Sequence, residues 1–323
     1  MSSDADSMRS ARSRFQWLDT ARGAALLAMA SYHFMWDLAN FDYLDVAFPS
    51  TGWPKIYARA IASTFLFMAG FSLVLAHRNG IRWKSFGTRF AKIAAAALLV
   101  TIGTYFAIPQ GFIFFGILHA IAVASLIGLL FLRVPWILTI IVAAAMIAAP
   151  QYFRSDTFNV PWLWWVGLST KIHNSFDYVP LLPWLGSFLL GLAVARMGAI
   201  QDWLRQNAGG ITRSKLHKTS LSFIGRHSLV FYLVHQPMLI SILYAFSLIV
   251  PAPQVAPEVK YVGSCEMSCK PNRNVDFCQR FCGCTLERLQ QTNLLVLFQS
   301  GAISVDDDAR IKEIAVECTM TSQ

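Results

Sequence analysis

Apolar stretches long enough, or nearly long enough, to cross a bilayer recur through the first 250 residues, near 18–38, 56–76, 92–108, 112–132, 135–150, 181–198 and 224–250. A hydrocarbon core about 30 Å thick needs roughly 20 residues at 1.5 Å each. Inside that core every backbone polar group must be satisfied within the segment. The pattern therefore predicts an all-α, polytopic membrane helical bundle of about seven spans. The turns Pro109 to Gly111 and Arg133 to Pro135 are short, so the third to fifth spans are expected to pack as tight hairpins. With 55% hydrophobic and 14% charged residues, the composition excludes a water-soluble globule and a nucleic-acid-binding module.

Charge sets the expected orientation. Residues 1–250 carry 20 Lys and Arg against 9 Asp and Glu, whereas residues 251–323 carry 7 against 9. With a cytoplasmic N-terminus, seven spans put 16 of those 20 basic residues on the inner side. Lys55, Arg59, Arg154 and Lys171 fall outside, and Trp53, Trp162, Trp164, Trp165 and Trp184 mark outer span ends. The first hydrophobic run is expected to be a signal anchor, because further spans follow it. The expected organisation is a cytoplasmic segment 1–17, a membrane domain 18–250 and an extracytoplasmic tail 251–323, in a bacterial inner membrane.

Ionisable groups inside spans are functional candidates by default, since each costs at least about 2.5–3.5 kcal/mol at the centre on insertion scales. The first span holds Asp19, Arg22, His33 and Asp37. At about 100° per residue all four fall within a sector of roughly 60°. Arg22 and His33 lie about 16 Å apart along the axis, and Asp37 follows His33 by one turn, where it can orient the ring. An ion-paired helix end plus a satisfied buried histidine is the bland alternative. His119 sits in the fourth span. In the last, Ser228, Tyr232 and His235 share a face, Arg226 reads equally as an inner anchor, and Pro237 should kink the helix. His77 and His217 are expected to be solvated in basic loops. His173 and Asp177 belong to the outer loop before Pro180.

The run from Leu18, Asp19, Arg22 and Gly23 through Tyr32, His33, Trp36 and Asp37 resembles the bacterial branch of the heparan-alpha-glucosaminide N-acetyltransferase catalytic-domain family. That family sits within a transmembrane acyltransferase superfamily marked by Arg or Lys, ten residues, then His. The resemblance continues through Ala62 to Gly70, Phe115 to His119, Pro183 to Gly186 and Phe223 to Pro237, about residues 15–240 in all. It implies transfer of an acetyl (acyl) group from cytoplasmic acyl-CoA to a glycan or amino-sugar acceptor on the far side. Arg22, Arg78, Arg82, Lys84 and Arg89 supply a basic inner face for the CoA phosphates. His33 and Asp37 form the candidate catalytic pair, with His33 as general base or acetyl carrier. Asp19, Arg22, His119, Asp177, Ser228, Tyr232 and His235 are the candidate substrate contacts. No residue singles out a heparan-type sugar; a cell-envelope glycan, lipid-linked sugar or secreted amino compound is the expected acceptor. The expected partners are membrane lipids, acyl-CoA and that acceptor, with no metal and no nucleic acid; homo-oligomerisation is left open. A transporter or flippase, or a non-catalytic scaffold, are the competing classes. The first would call for repeated halves or paired broken helices, which the sequence lacks.

The tail lies outside that resemblance. It holds all six cysteines, at Cys265, Cys269, Cys278, Cys282, Cys284 and Cys318. Two x3 pairs put sulfurs one turn apart on two helices. Antiparallel packing would join Cys265 to Cys282 and Cys269 to Cys278, leaving Cys284 for Cys318, one of 15 connectivities. A cytoplasmic tail would read as a zinc site instead; export favours a small disulfide-bonded helical module.

Overall fold

The structure, a computed structural model, describes residues 16–78, 80–171, 175–207, 220–253, 255–270, 273–305 and 308–323. His173, His217 and most of the N-terminal segment lie outside the described residues. The described chain is helical, without a strand. In the first 250 residues the helices are α1 (Gln16–Asn40), α2 (Gly52–Ala76), α3 (Trp83–Ala107), α4 (Ile117–Phe131), α5 (Trp136–Tyr152), α6 (Leu181–Arg196), α7 (Gly198–Asn207), α8 (Ser220–Arg226) and α9 (Ser228–Ile249). Beyond them come α10 (Pro257–Cys269), α11 (Val275–Gln291), α12 (Leu295–Gln299) and α13 (Ala309–Thr321).

Each expected span has its helix, with two differences. Among the described residues α2, α3 and α9 combine the length and apolarity to cross a membrane, while α4, α5 and α6 are shorter apolar helices. Turns on either side of them, Pro109–Gly111 and Pro161–Val166, are wound as 3-10 helix. The run at 224–250 is broken at His227 into α8 and α9 rather than forming one helix. Half of the apolar window of α2 is buried by protein but only 11% of that of α3 or α9. Their exposed faces, with Leu98, Leu99 and Phe106 on α3 and Val234 and Leu248 on α9, suit lipid rather than water.

The chain forms two compact units, residues 1–30 with 59–235, and residues 31–58 with 236–323. In the first, α6 is the central element. Phe188, Leu189, Leu192, Ala193 and Ala195 have no exposed surface, which is why the helix is apolar on every side. A Cβ on Gly70 of α2 would lie 2.0 Å from the Phe188 carbonyl oxygen, and one on Gly191 would lie 2.0 Å from that of Phe67. Here two backbones touch, and only glycine on both sides permits it. His77, expected to be solvated, closes α2 half-buried instead; its Nδ1 bonds the Leu73 carbonyl at 2.8 Å and its ring packs edge-on to Phe86.

In the second unit, the disulfides are Cys265–Cys282, Cys269–Cys278 and Cys284–Cys318. The first two clip α10 to α11, as x3 spacing on antiparallel helices predicts, and the third clips α11 to α13. Cys278, Cys282 and Cys318 are fully buried, Cys318 in a cluster with Leu289 and Leu294. Asn274 caps α11 by accepting from the Phe277 N–H at 2.7 Å. Asp308 caps α13 and is held down to about 2, chiefly by its hydrogen bonds and pairing with Arg310. The module is fastened to the α1–α2 loop: Lys260 pairs with Asp42, Ser264 Oγ donates to Asp45 Oδ1 at 3.4 Å, and Tyr43 Oη donates to the Val250 carbonyl.

Candidate active site

The first unit contains a cleft of about 1030 Å³. Arg22, Arg82, Lys84, Arg89, Lys92 and Arg226 line it, with no carboxylate among the lining residues. Leu26, Phe65, Met68, Leu118 and Ile121 supply an apolar part of its lining, and Tyr232 adds a polar group. Six cations around one cleft attract a polyanion; the apolar lining suits an uncharged arm.

Two of those cations are set by one buried carboxylate. Asp19 is 2% exposed, with Oδ1 3.4 Å from Arg22 Nη1 and Oδ2 3.9 Å from Arg226 Nε. Arg22 also donates through Nη2 to Ser72 Oγ. The pairing depends on a second backbone contact: a Cβ on Gly23 would lie 2.0 Å from the Leu221 carbonyl oxygen, and one on Gly225 1.8 Å from that of Asp19. Glycine at both positions lets α1 and α8 touch and brings Arg226 to the acid.

Of the predicted basic set, Arg22, Arg82, Lys84 and Arg89 line the cleft. Arg78 does not; its guanidinium bonds Gln201 Oε1, with Nε at 3.1 Å. Lys92, outside the predicted basic set, and Arg226, which reads equally as an inner anchor, also line the cleft. A helical projection carried through 224–250 turns Arg226 away from His235, and helical assignment lapses at His227 between them. Lys92 stands three residues beyond Arg89, on the same face of α3, and that spacing was the available signal.

The polar groups near the apolar wall have defined tasks. Asp177, in the loop before α6, accepts through Oδ2 from the Ile117 N–H at 3.0 Å and from Tyr232 Oη at 3.1 Å. It caps α4 with a carboxyl that burial pushes above its usual value, while the two hydrogen bonds act the other way. Ser228 and Tyr232 both line the cleft. His119 is used up structurally: the Gly116 N–H donates to Nδ1 at 3.2 Å, which leaves Nε2 to donate to Thr101 Oγ1 at 3.2 Å. Thr101 Oγ1 donates onward to the Ile113 carbonyl, so the network assigns the neutral Nε2–H tautomer. Neither nitrogen is left for a substrate. His235, 4% exposed, bonds the Tyr232 carbonyl through Nδ1 at 2.7 Å.

His33 and Asp37 belong to the second unit. His33 is half-buried, its ring 6.1 Å from that of Tyr32. Asp37 is 1% exposed, and its Oδ1 accepts from Gln236 Nε2 at 2.6 Å rather than from the His33 ring. The expected tautomer-fixing contact is thus replaced by an amide one.

An all-helical membrane bundle that holds a cationic, apolar-walled cleft defines an integral membrane protein suited to an anionic amphiphile. Residues 14–237 match the family described as heparan-alpha-glucosaminide N-acetyltransferase, catalytic, and the chain belongs to that family. It is a transmembrane acetyltransferase, from a family that uses acetyl-CoA. The match ends before the cysteine module. No curated protein and no solved structure matches the chain. Among the described residues no group of His, Cys, Asp and Glu is placed to hold a metal ion.

Proposed function

We propose that the protein moves an acetyl group from cytoplasmic acetyl-CoA, bound in the cationic cleft, to the amino or hydroxyl group of an envelope sugar on the opposite side. The observation that carries this is a cleft lined by six cations, no carboxylate and a set of apolar side chains. Phosphates of CoA would take charge-assisted bonds from Arg22, Arg82, Lys84, Arg89, Lys92 and Arg226. Its uncharged pantetheine arm would follow Leu26, Met68 and Leu118 toward Tyr232.

In this reading His33 is the general base, eleven residues along the same helix from Arg22. The acceptor nitrogen attacks the thioester carbonyl carbon, a C–N bond forms and the C–S bond breaks. The proton lost by the nitrogen passes to His33 and then to the departing thiolate. With the acetyl-histidine route, the imidazole nitrogen takes the acetyl group first and passes it on. The distribution of basic residues supports an N-terminus in the cytoplasm and the disulfide-bonded module outside.

Purified protein is titrated with acetyl-CoA, then assayed for transfer to D-glucosamine and an envelope-sugar panel, with His33→Ala in parallel. The reading expects acetyl-CoA binding by both proteins and transfer by wild type alone. Absence of binding by wild type would overturn the donor assignment, and equal turnover would remove His33.

A further inference from the structure

The second unit holds a pair of acceptor atoms that the protein leaves unmatched. Asp37 is a carboxylate in the first membrane helix and is 1% exposed. Its Oδ1 takes the Gln236 amide N–H, but Oδ2 is buried with no hydrogen-bond partner among the described residues. Gln236 Oε1 is in the same condition. One hydrogen bond therefore joins two side chains that each present a buried, unused acceptor oxygen. A span that needed only packing would carry apolar groups here, since orphaned acceptors and a carboxylate in low dielectric are both costly.

The chemistry that would satisfy these atoms is narrow. Both are acceptors and one belongs to an acid, so the matching guest is a compact multiple donor. A neutral amine carries two N–H donors and keeps the lone pair that attacks the thioester; an alcohol carries one O–H. His33 precedes Asp37 by four residues, one turn away on the same helix face, so a group held there would sit beside the base. Gln236 is followed by Pro237, which has no N–H and removes a rung from the α9 ladder.

We propose that Asp37 and Gln236 form the seat for the amino group of the acceptor, with Gln236 the residue that sets preference for amines over hydroxyls. This rests on the acetyl-transfer reading above, and it assigns Asp37 to the acceptor rather than to the tautomer of His33.

The test uses the full chain in nanodiscs, acetyl-CoA as donor, and D-glucosamine, D-galactosamine and D-glucose as probes. Wild type should release CoA in response to the two amines and far less with glucose. Asp37→Asn and Gln236→Leu should each raise KM for D-glucosamine about tenfold or more, leave KM for acetyl-CoA within about twofold, and narrow the amine-to-glucose preference. Should Gln236→Leu fail to fold, Asp37→Asn, which keeps the size and one carbonyl acceptor, carries the test. Unchanged KM for D-glucosamine in Asp37→Asn and Gln236→Leu overturns the seat. So does an enzyme that binds acetyl-CoA yet shows no amine-dependent CoA release. Wild type that does not bind acetyl-CoA at all fails the underlying reading instead, and titration with acetyl-CoA alone identifies that case.

Discussion

Gly70 and Gly191 press two helix backbones together, each facing a carbonyl oxygen of the other's helix at a distance no Cβ can occupy. The contact fixes α2 against the fully buried α6, and α2 carries Phe65, Met68 and Ala69 into the cleft wall. A crossing made for packing thus also shapes a binding surface.

Gly70→Ala and Gly191→Ala should each destabilise the protein by about 2–3 kcal/mol, because a backbone oxygen 2.0 Å away has no rotamer with which to retreat. The double variant should cost less than the two single costs combined, since the first substitution already separates the helices. Thermal unfolding in detergent, followed by circular dichroism, measures both effects.

The cations of the cleft should be separable from those beside it. Arg89→Ala and Lys92→Ala should weaken acetyl-CoA binding by about 10- to 100-fold, in line with charge-assisted hydrogen bonds of roughly 1.5–3 kcal/mol. Arg78→Ala, which loses only its bond to Gln201, should stay within about threefold of wild type. Raising salt should weaken binding by wild type more than by either cleft variant. Calorimetric titration at two ionic strengths checks the set.

Asp177 joins the start of α4 to Tyr232 through one oxygen. Asp177→Ala would leave the Ile117 N–H and the Tyr232 hydroxyl unmatched and should cost about 2–4 kcal/mol. Its pH dependence has a defined sign. Burial raises the folded carboxyl above 3.8, so the stabilisation it gives is complete below the unfolded value and is lost as pH rises through the folded one. Asp177→Asn should flatten that part of the stability curve. Denaturation midpoints recorded across the acidic range would show it, and a wild-type curve already flat there would remove Asp177 from the account.

Cys284 and Cys318 close the longest of the three loops, 34 residues. Replacing both with Ser should lower the stability of the module by about 3–4 kcal/mol by the loop-entropy estimate, against about 2–3 for Cys269 and Cys278, whose separation is 9. With the module outside, a membrane-impermeant maleimide should label intact cells after reduction and not before. Labelling only after lysis would place the module in the cytoplasm.

Much of the molecule could be read without coordinates wherever a single periodicity governs it. Apolar length located α1 to α6, and x3 spacing on two helices set the cysteine pairs, because sulfurs one turn apart have one geometric partner set on an antiparallel neighbour. The reading failed where continuity was assumed. Helical assignment lapses at His227, and Arg226 just before it pairs with Asp19. His119 looks available because its cap contacts to Gly116 and Thr101 come from a turn and from α3, neither of which an apolar run can reveal.

The sequence by itself determined that this is a helical membrane protein with a basic side, a polar stripe on its first helix, a cysteine module and membership in an acetyltransferase family. Those are properties of length, charge and local spacing, and each acts within one helix or along one chain segment. Only the tertiary structure decided which arginines share a cleft, that Asp19 sits between Arg22 and Arg226, that Asp177 holds Tyr232, and that Asp37 bonds Gln236 across 199 positions of sequence. These relations arise between segments far apart in sequence, and the approach of α1 to α8 that seats Arg226 on Asp19 is set by Gly23 and Gly225, whose lack of a side chain means nothing until the opposing backbone is in place.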